Sequence, residues 1–148
     1  MADLAYNRKV KFNYEIKETI EAGIELLGYE VKAVRAGKAH LDGAYAIIRG
    51  GEIFVMGVKI EPYQTKNTPL EYEDDRTRRL LLSKKEIREL VEAEKTSQLT
   101  LVPISMYNKG RTIKVSLALV KGKKKSDKRE TIKRRETDRE LRREFKAR

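Results

Sequence analysis

The chain has 148 residues, 34 Lys/Arg against 23 Asp/Glu, and a net charge of +11. It contains no Cys, which excludes disulfides and thiolate metal centres and is compatible with a reducing cytosol. No run of 18 apolar residues is present, so no helical membrane span is expected, and no signal peptide is expected because no apolar stretch follows Met1-Ala2-Asp3-Leu4.

Residues 1–11 read as a mobile lead-in ending in Asn7-Arg8-Lys9. A period-two pattern follows: Phe12, Tyr14, Ile16, Ile20, Ala22, Ile24 and Leu26 fall on even positions, interrupted by Glu18. That alternation predicts one long half-buried strand, with Gly23 marking a bend or bulge. Gly28 and Gly37 bracket a short helix over 29–36, where Val31 and Val34 are three apart. Tyr45–Arg49 and Glu52–Val58, split by Gly50-Gly51, predict a tight hairpin.

Residues 59–79 read as a long connection whose charge changes abruptly. Glu71, Glu73, Asp74 and Asp75 precede Arg76, Arg78 and Arg79. Ser83 and Glu86 form a capping box, and Ile87, Leu90 and Val91 continue at helical spacing, so a helix is expected over about 84–95. A second hairpin is expected from Leu99–Tyr107, a turn at Asn108-Lys109-Gly110, and Arg111–Val120. In its second arm Ile113, Val115, Leu117 and Leu119 face one way, and Lys114, Ser116 and Ala118 the other. Pro103 suits an edge or a bulge.

These elements predict a mainly β chain: a small antiparallel barrel of the oligonucleotide-binding (OB) type with two or three short helices, over residues 1–120. A β-sandwich is the alternative. Residues 121–148 hold 14 Lys/Arg and 6 Asp/Glu and few large apolar residues. They read as a basic C-terminal tail, disordered when free and helical when bound. An arm of this charge points to a polyanion.

Catalysis has little support in the residues. The single His, His40, lies in a Gly-rich turn region with no evident nucleophile or orienting partner. The Glu71–Asp75 carboxylates read first as a solvated loop charge run, with a divalent-ion site the weaker alternative. Binding is better supported. Lys114 projects from a strand whose alternate residues are buried, and Glu21 lies on the polar side of the first strand, where a carboxylate can accept from a base amine. Leu81, in an apolar triplet, reads as core or as a stacking surface for a nucleoside. Arg76, Arg78 and Arg79 read as phosphate clamps or as charges flanking a helix. Six of the nine residues 121–129 are basic.

Several motifs occur in order: Glu21-Ala22-Gly23, Gly28-Tyr29-Glu30-Val31-Lys32, Arg35-Ala36-Gly37-Lys38, Arg76-Thr77-Arg78-Arg79-Leu80-Leu81-Leu82, Gly122-Lys123-Lys124 and Asp127-Lys128-Arg129. Together, over nearly the whole chain, they resemble the bacterial SsrA-binding protein (small protein B) family. The resemblance implies an OB-type barrel that holds the tRNA-like domain of transfer-messenger RNA (tmRNA). It also implies a tail that enters the decoding site and empty messenger channel of a stalled ribosome, so that alanyl-tmRNA, with elongation factor Tu, is accepted and translation resumes. Family RNA-binding positions fall on Asn7, Glu21, Leu81 and Lys114. Family tail positions fall on Lys121, Lys123, Lys124, Asp127, Lys128 and Arg129.

Three positions depart from the usual family pattern: Ser126 stands in place of His, Asp74-Asp75 in place of Asp-Pro, and Thr137 in place of Trp. The implied protein is cytoplasmic, is not an enzyme and needs no cofactor or metal. A general RNA-binding or ribosomal OB-fold protein is the alternative, and a nuclease using the 71–75 carboxylates is a third reading.

Overall fold

A computed structural model describes residues 3–64, 66 and 68–122. The element order is β1 (Asp3–Tyr6), α1 (Val10–Asn13), β2 (Tyr14–Ile24), α2 (Gly28–Arg35), β3 (Ala39–His40), β4 (Tyr45–Arg49), β5 (Glu52–Met56), β6 (Lys59–Ile60), β7 (Arg78–Leu81), α3 (Lys84–Ser97), β8 (Thr100–Lys109) and β9 (Thr112–Gly122). Strands β8, β4, β5, β7, β2 and β9 pair in that order, and β9 pairs back onto β8. The sheet therefore closes on itself, as the OB-type barrel expectation requires. All its pairings are antiparallel, and β1 adds to β8 outside the ring.

The two predicted hairpins are present, with one shift. Gly50 and Gly51 join β4 to β5 with φ of 59° and 77°, values that suit glycine in a two-residue turn. The second turn is tighter than expected: Lys109 pairs with Thr112, so Gly110-Arg111 forms the turn while Asn108 and Lys109 extend β8. The predicted capping box opens α3, with Glu86 N donating to Ser83 Oγ and Ser83 N donating to Glu86 Oε1, each at 3.1 Å.

The lead-in expectation is overturned. Residues 3–6 pair with β8, and Val10 in α1 is buried against Val102, Ala118 and Val120 on the outside of the barrel. Ala118, expected on a polar face, is buried there because the N-terminal segment covers it.

The first strand is shorter than predicted, and its bulge lies elsewhere. Register shifts between Ile16 and Glu18, not at Gly23. That extra residue turns the even positions over: Tyr14 and Ile16 pack in the outer cluster with Val10, whereas Ile20, Ala22 and Ile24 pack in the core. In β8 the register slips between Pro103 and Ser105, as Pro103 suggested.

The core joins Ile53, Val55, Leu80, Leu101, Val115, Leu117 and Leu119 of the barrel with Ala33 and Val34 of α2 and Ile87 and Leu90 of α3. Burying each large aliphatic side chain contributes about 1.5–3 kcal/mol, so this cluster is the main source of stability.

Residues 59–79 are not simply a connection. They contribute β6 and β7, and Arg78 is fully buried, neither a phosphate clamp nor a flanking charge. Its guanidinium donates to Glu30 Oε2 through Nε (2.9 Å) and Nη2 (2.6 Å), and to the carbonyls of Val58 (2.6 Å), Arg76 (3.1 Å) and Asp74 (3.0 Å). Arg76 also donates to Glu30, from Nε to Oε2 at 3.1 Å and from Nη2 to Oε1. Leu27 N donates to Glu30 Oε1 at 2.8 Å, and the Tyr72 hydroxyl lies 2.9 Å from Oε2. This network fastens α2 to the segment before β7.

Candidate nucleic-acid interface

The outward row that crosses β7, β2 and β9 carries three of the sequence candidates or their support. Gly23 of β2 is the register partner of Leu81 on one side and of Lys114 on the other. Lys114 in turn pairs with Tyr107 of β8. Four adjacent strands therefore line up Leu81, Gly23, Lys114 and Tyr107. Glu21 lies two residues before Gly23, on the same side of the pleat. Core residues fill the alternate positions, Ala22 and Ile24 in β2 and Ile113 and Val115 in β9, so the row is held from beneath.

Leu81 is 46% exposed, although Leu80 beside it is buried. Alternation along β7 turns Leu81 outward, and nothing on its own strand covers it. An outward leucine at the β7 end of this row gives an apolar surface that can meet a base face. Two hollows flank it. One, of about 530 Å³, is lined by Glu21, Gly23, Arg79, Leu81, Ser83 and Lys114 among others. The other, of about 240 Å³, is lined by Gly23, Ile24, Val31, Leu81, Arg111 and Lys114 among others.

Glu21 accepts from Lys109 Nζ at Oε1 (2.8 Å) and from the Tyr107 hydroxyl at Oε2. Hydrogen bonds from Lys109 and Tyr107 hold the Glu21 carboxyl below its ordinary value, so it is an anion in the neutral range. Burial and the neighbouring Glu21 push the Tyr107 phenol up to about 12, so Tyr107 remains a donor. Sequence reasoning missed both partners. Lys109 read as a turn residue, and the contact crosses β9, a pairing invisible in local spacing.

Asn7 does not join this row. It is 5% exposed, and its Nδ2 donates to the Leu41 carbonyl at 3.1 Å while its Oδ1 accepts from Lys9 N at 3.3 Å. Its side-chain amide is thus used in holding the segment between β1 and α1. It lines a separate hollow of about 370 Å³ with Lys9, Asn13 and Tyr45 among others.

Lys121 is exposed and lies one residue before the end of β9, opposite Glu15. Lys123, Lys124, Asp127, Lys128 and Arg129 lie outside the described residues, as do Ser126 and Thr137. Arg79 is exposed, 3.2 Å from Glu52 and 3.6 Å from Glu25. His40 belongs to β3 and not to a turn, with Nε2 3.7 Å from Glu61. In the acidic stretch, the Asp74 carboxylate lies 3.9 Å from Lys59, and its single backbone carbonyl accepts from both Ile60 N and Arg78 Nη2. Among the described residues no group of three His, Asp or Glu side chains is placed to hold a metal ion. No helix among them is long and apolar enough to cross a membrane.

Comparison with known proteins gives a consistent picture. The model of the SmpB protein family matches residues 4–147. An SsrA-binding protein of Synechocystis is 51% identical over 140 residues, covering 95% of this chain and 91% of that one. An SsrA-binding protein of Thermosynechococcus vestitus is 47% identical over 145 residues, covering 98% and 95%. A solved structure described as "tmRNA-SmpB: a journey to the center of the bacterial ribosome" matches with a TM-score of 0.67 and 39% identity, over 86% of this chain and 92% of that one.

Proposed function

This chain belongs to the SmpB protein family, and from that premise we propose that it is an RNA-binding adaptor of trans-translation. Its barrel binds the tRNA-like domain of tmRNA, and its basic tail enters the decoding site and empty messenger channel of a stalled ribosome. Alanyl-tmRNA with elongation factor Tu is then accepted, and the nascent peptide is tagged. The protein does this in the cytoplasm and without catalysis of its own.

The observation that carries the reading is the Leu81–Gly23–Lys114 row with Glu21 beside it. Those residue types divide the work of RNA recognition. Lys114 supplies positive charge for phosphate, which adds affinity but little sequence information. Glu21, fixed by Lys109 and Tyr107, offers an acceptor to base amines. Leu81 supplies an apolar surface for an unstacked base. Asn7 contributes by holding the N-terminal segment against Leu41, which keeps β1 and α1 on the barrel.

Fluorescence anisotropy with a labelled tRNA-like transcript tests this. Leu81→Ala, Lys114→Ala and Glu21→Ala are each expected to weaken binding by roughly 5- to 100-fold. Unstructured RNA of equal length should fail to displace the transcript at equal concentration. Equal displacement would favour the general RNA-binding reading, in which shape is not recognised.

A further inference from the structure

Gly23 is unlike the other glycines of the chain. Gly37, Gly43, Gly50, Gly51, Gly57 and Gly110 have positive φ, which explains them by backbone conformation. Gly28 and Gly122 have open space where a side chain would stand. Gly23 lies near the end of β2 without a positive φ, where glycine weakens a strand. A Cβ at this position would lie 3.1 Å from Leu81 Cβ, 3.4 Å from its Cδ1 and 3.6 Å from its Cγ. Cross-strand Cβ atoms ordinarily stand about 4.5–5.5 Å apart. The Leu81 side chain therefore lies over the space that any other residue at position 23 would fill.

We propose that Gly23 is a positioning residue for the RNA surface: its missing side chain lets Leu81 lie across β2 as a divider between two nucleotide subsites. The inference rests on the RNA-binding reading above and deepens it.

Gly23, Leu81 and Lys114 line both hollows, so the divider and the two hollows form one continuous surface. Their chemistry differs. The larger hollow is lined by Glu21, Glu52 and Glu86 together with Arg79, Lys84 and Lys114, so it is polar and of mixed charge and offers acceptors to a base carrying an exocyclic amine. The smaller has apolar walls from Ile24, Leu26, Val31 and Ile113, with Arg111 and Lys114 as its cations. It suits a base face with its phosphate at the rim. Two neighbouring unpaired nucleotides, one on each side of Leu81, match this division. A side chain at position 23 cannot be accommodated by rotating Leu81 about χ1, because the nearest contact is to Cβ. The backbone at Leu81 would have to give by a few tenths of an ångström, carrying its side chain off position 23.

The test is a binding cycle on the full chain with the tRNA-like transcript, using Gly23→Ala, Leu81→Ala and the double variant. Gly23→Ala is expected to lose affinity roughly tenfold, and the double variant to bind no worse than Leu81→Ala alone. Independent, multiplying losses would overturn the inference, as would wild-type affinity for Gly23→Ala when Leu81→Ala is impaired. Wild-type affinity for Leu81→Ala would remove the RNA surface itself, and this inference with it. If Gly23→Ala does not fold, NMR on the wild-type chain decides. A nuclear Overhauser effect from Gly23 Hα to the Leu81 δ-methyls should persist when RNA is added, with new effects from base protons to the same methyls. Loss of the glycine contact in the complex would overturn the proposal.

Discussion

Arg78 and Glu30 form an ion pair in which neither side chain is exposed, with Nη2 2.6 Å from Oε2. Two charges so placed are tolerated only because each is otherwise satisfied by hydrogen bonds. Replacing Arg78 by Met leaves the Glu30 carboxylate buried with fewer donors and takes the arginine's hydrogen bonds from the carbonyls of Val58 and Asp74. The expected loss is about 3–5 kcal/mol, read from the urea midpoint. Arg78→Lys is expected to be damaging too, because an ammonium cannot reproduce the planar fork.

The same network predicts the response to pH. Burial raises the Glu30 carboxyl, but the bonds from Arg76, Leu27 N and Arg78 outweigh it, and the pKa lies below its ordinary 4.5. A depressed folded-state value means stability that is present above about pH 4.5 and is lost as pH falls through the folded pKa. Glu30→Gln is expected to be less stable at pH 7 yet to show a shallower acid limb in urea titrations. At high pH the sign reverses. Burial and the neighbouring Glu30 push the Tyr72 phenol from 10.0 up to about 12, so its contribution is present below pH 10 and lost as pH rises toward 12. Tyr72→Phe should flatten part of that alkaline limb, and Tyr107, also raised to about 12, should account for part of what remains.

Lys114 and Leu81 should separate in salt. Removing a phosphate-facing cation lowers the number of counterions released, so Lys114→Ala is expected to reduce the slope of log K against log salt by about one. Leu81→Ala should lower affinity at every salt concentration and leave the slope unchanged. Anisotropy titrations between about 50 and 200 mM salt distinguish the two.

Body and tail should also separate. A chain ending at Gly122 is expected to bind the tRNA-like transcript as the full chain does and to fail in peptide tagging on stalled ribosomes. A reconstituted translation assay with a truncated messenger reads this. Tagging by the shortened chain would refute the division of labour.

Local chemistry made much of the barrel readable. Gly50-Gly51, the Ser83–Glu86 box and the alternation from Ile113 to Leu119 each act within a few residues, and each element formed where those signals stood. Ring closure was less readable, because β2–β9 joins residues about a hundred apart in sequence. Arg78 shows the limit most clearly. An arginine among arginines reads as surface, and only Glu30, 48 residues earlier, makes its burial possible. At the candidate site, the outward faces of Glu21 and Lys114 were legible from alternation, whereas the apolar triplet left Leu81 open between core and outer surface. Tyr107 and Lys109 were not legible, since a diagonal contact over β9 leaves no periodic trace.

The β2–β9 pair also sets a distance. Its register begins at Tyr14 opposite Gly122 and ends at Gly23 opposite Lys114. The proposed grip on RNA and Gly122, the last residue of β9, thus stand at opposite ends of one rail, eight residues or about 26 Å apart at the usual rise per residue. Hydrogen bonds on both flanks of β9 keep that rail from stretching. From the proposed RNA grip, Gly122 therefore stands at a fixed distance, like the mark on a gauge.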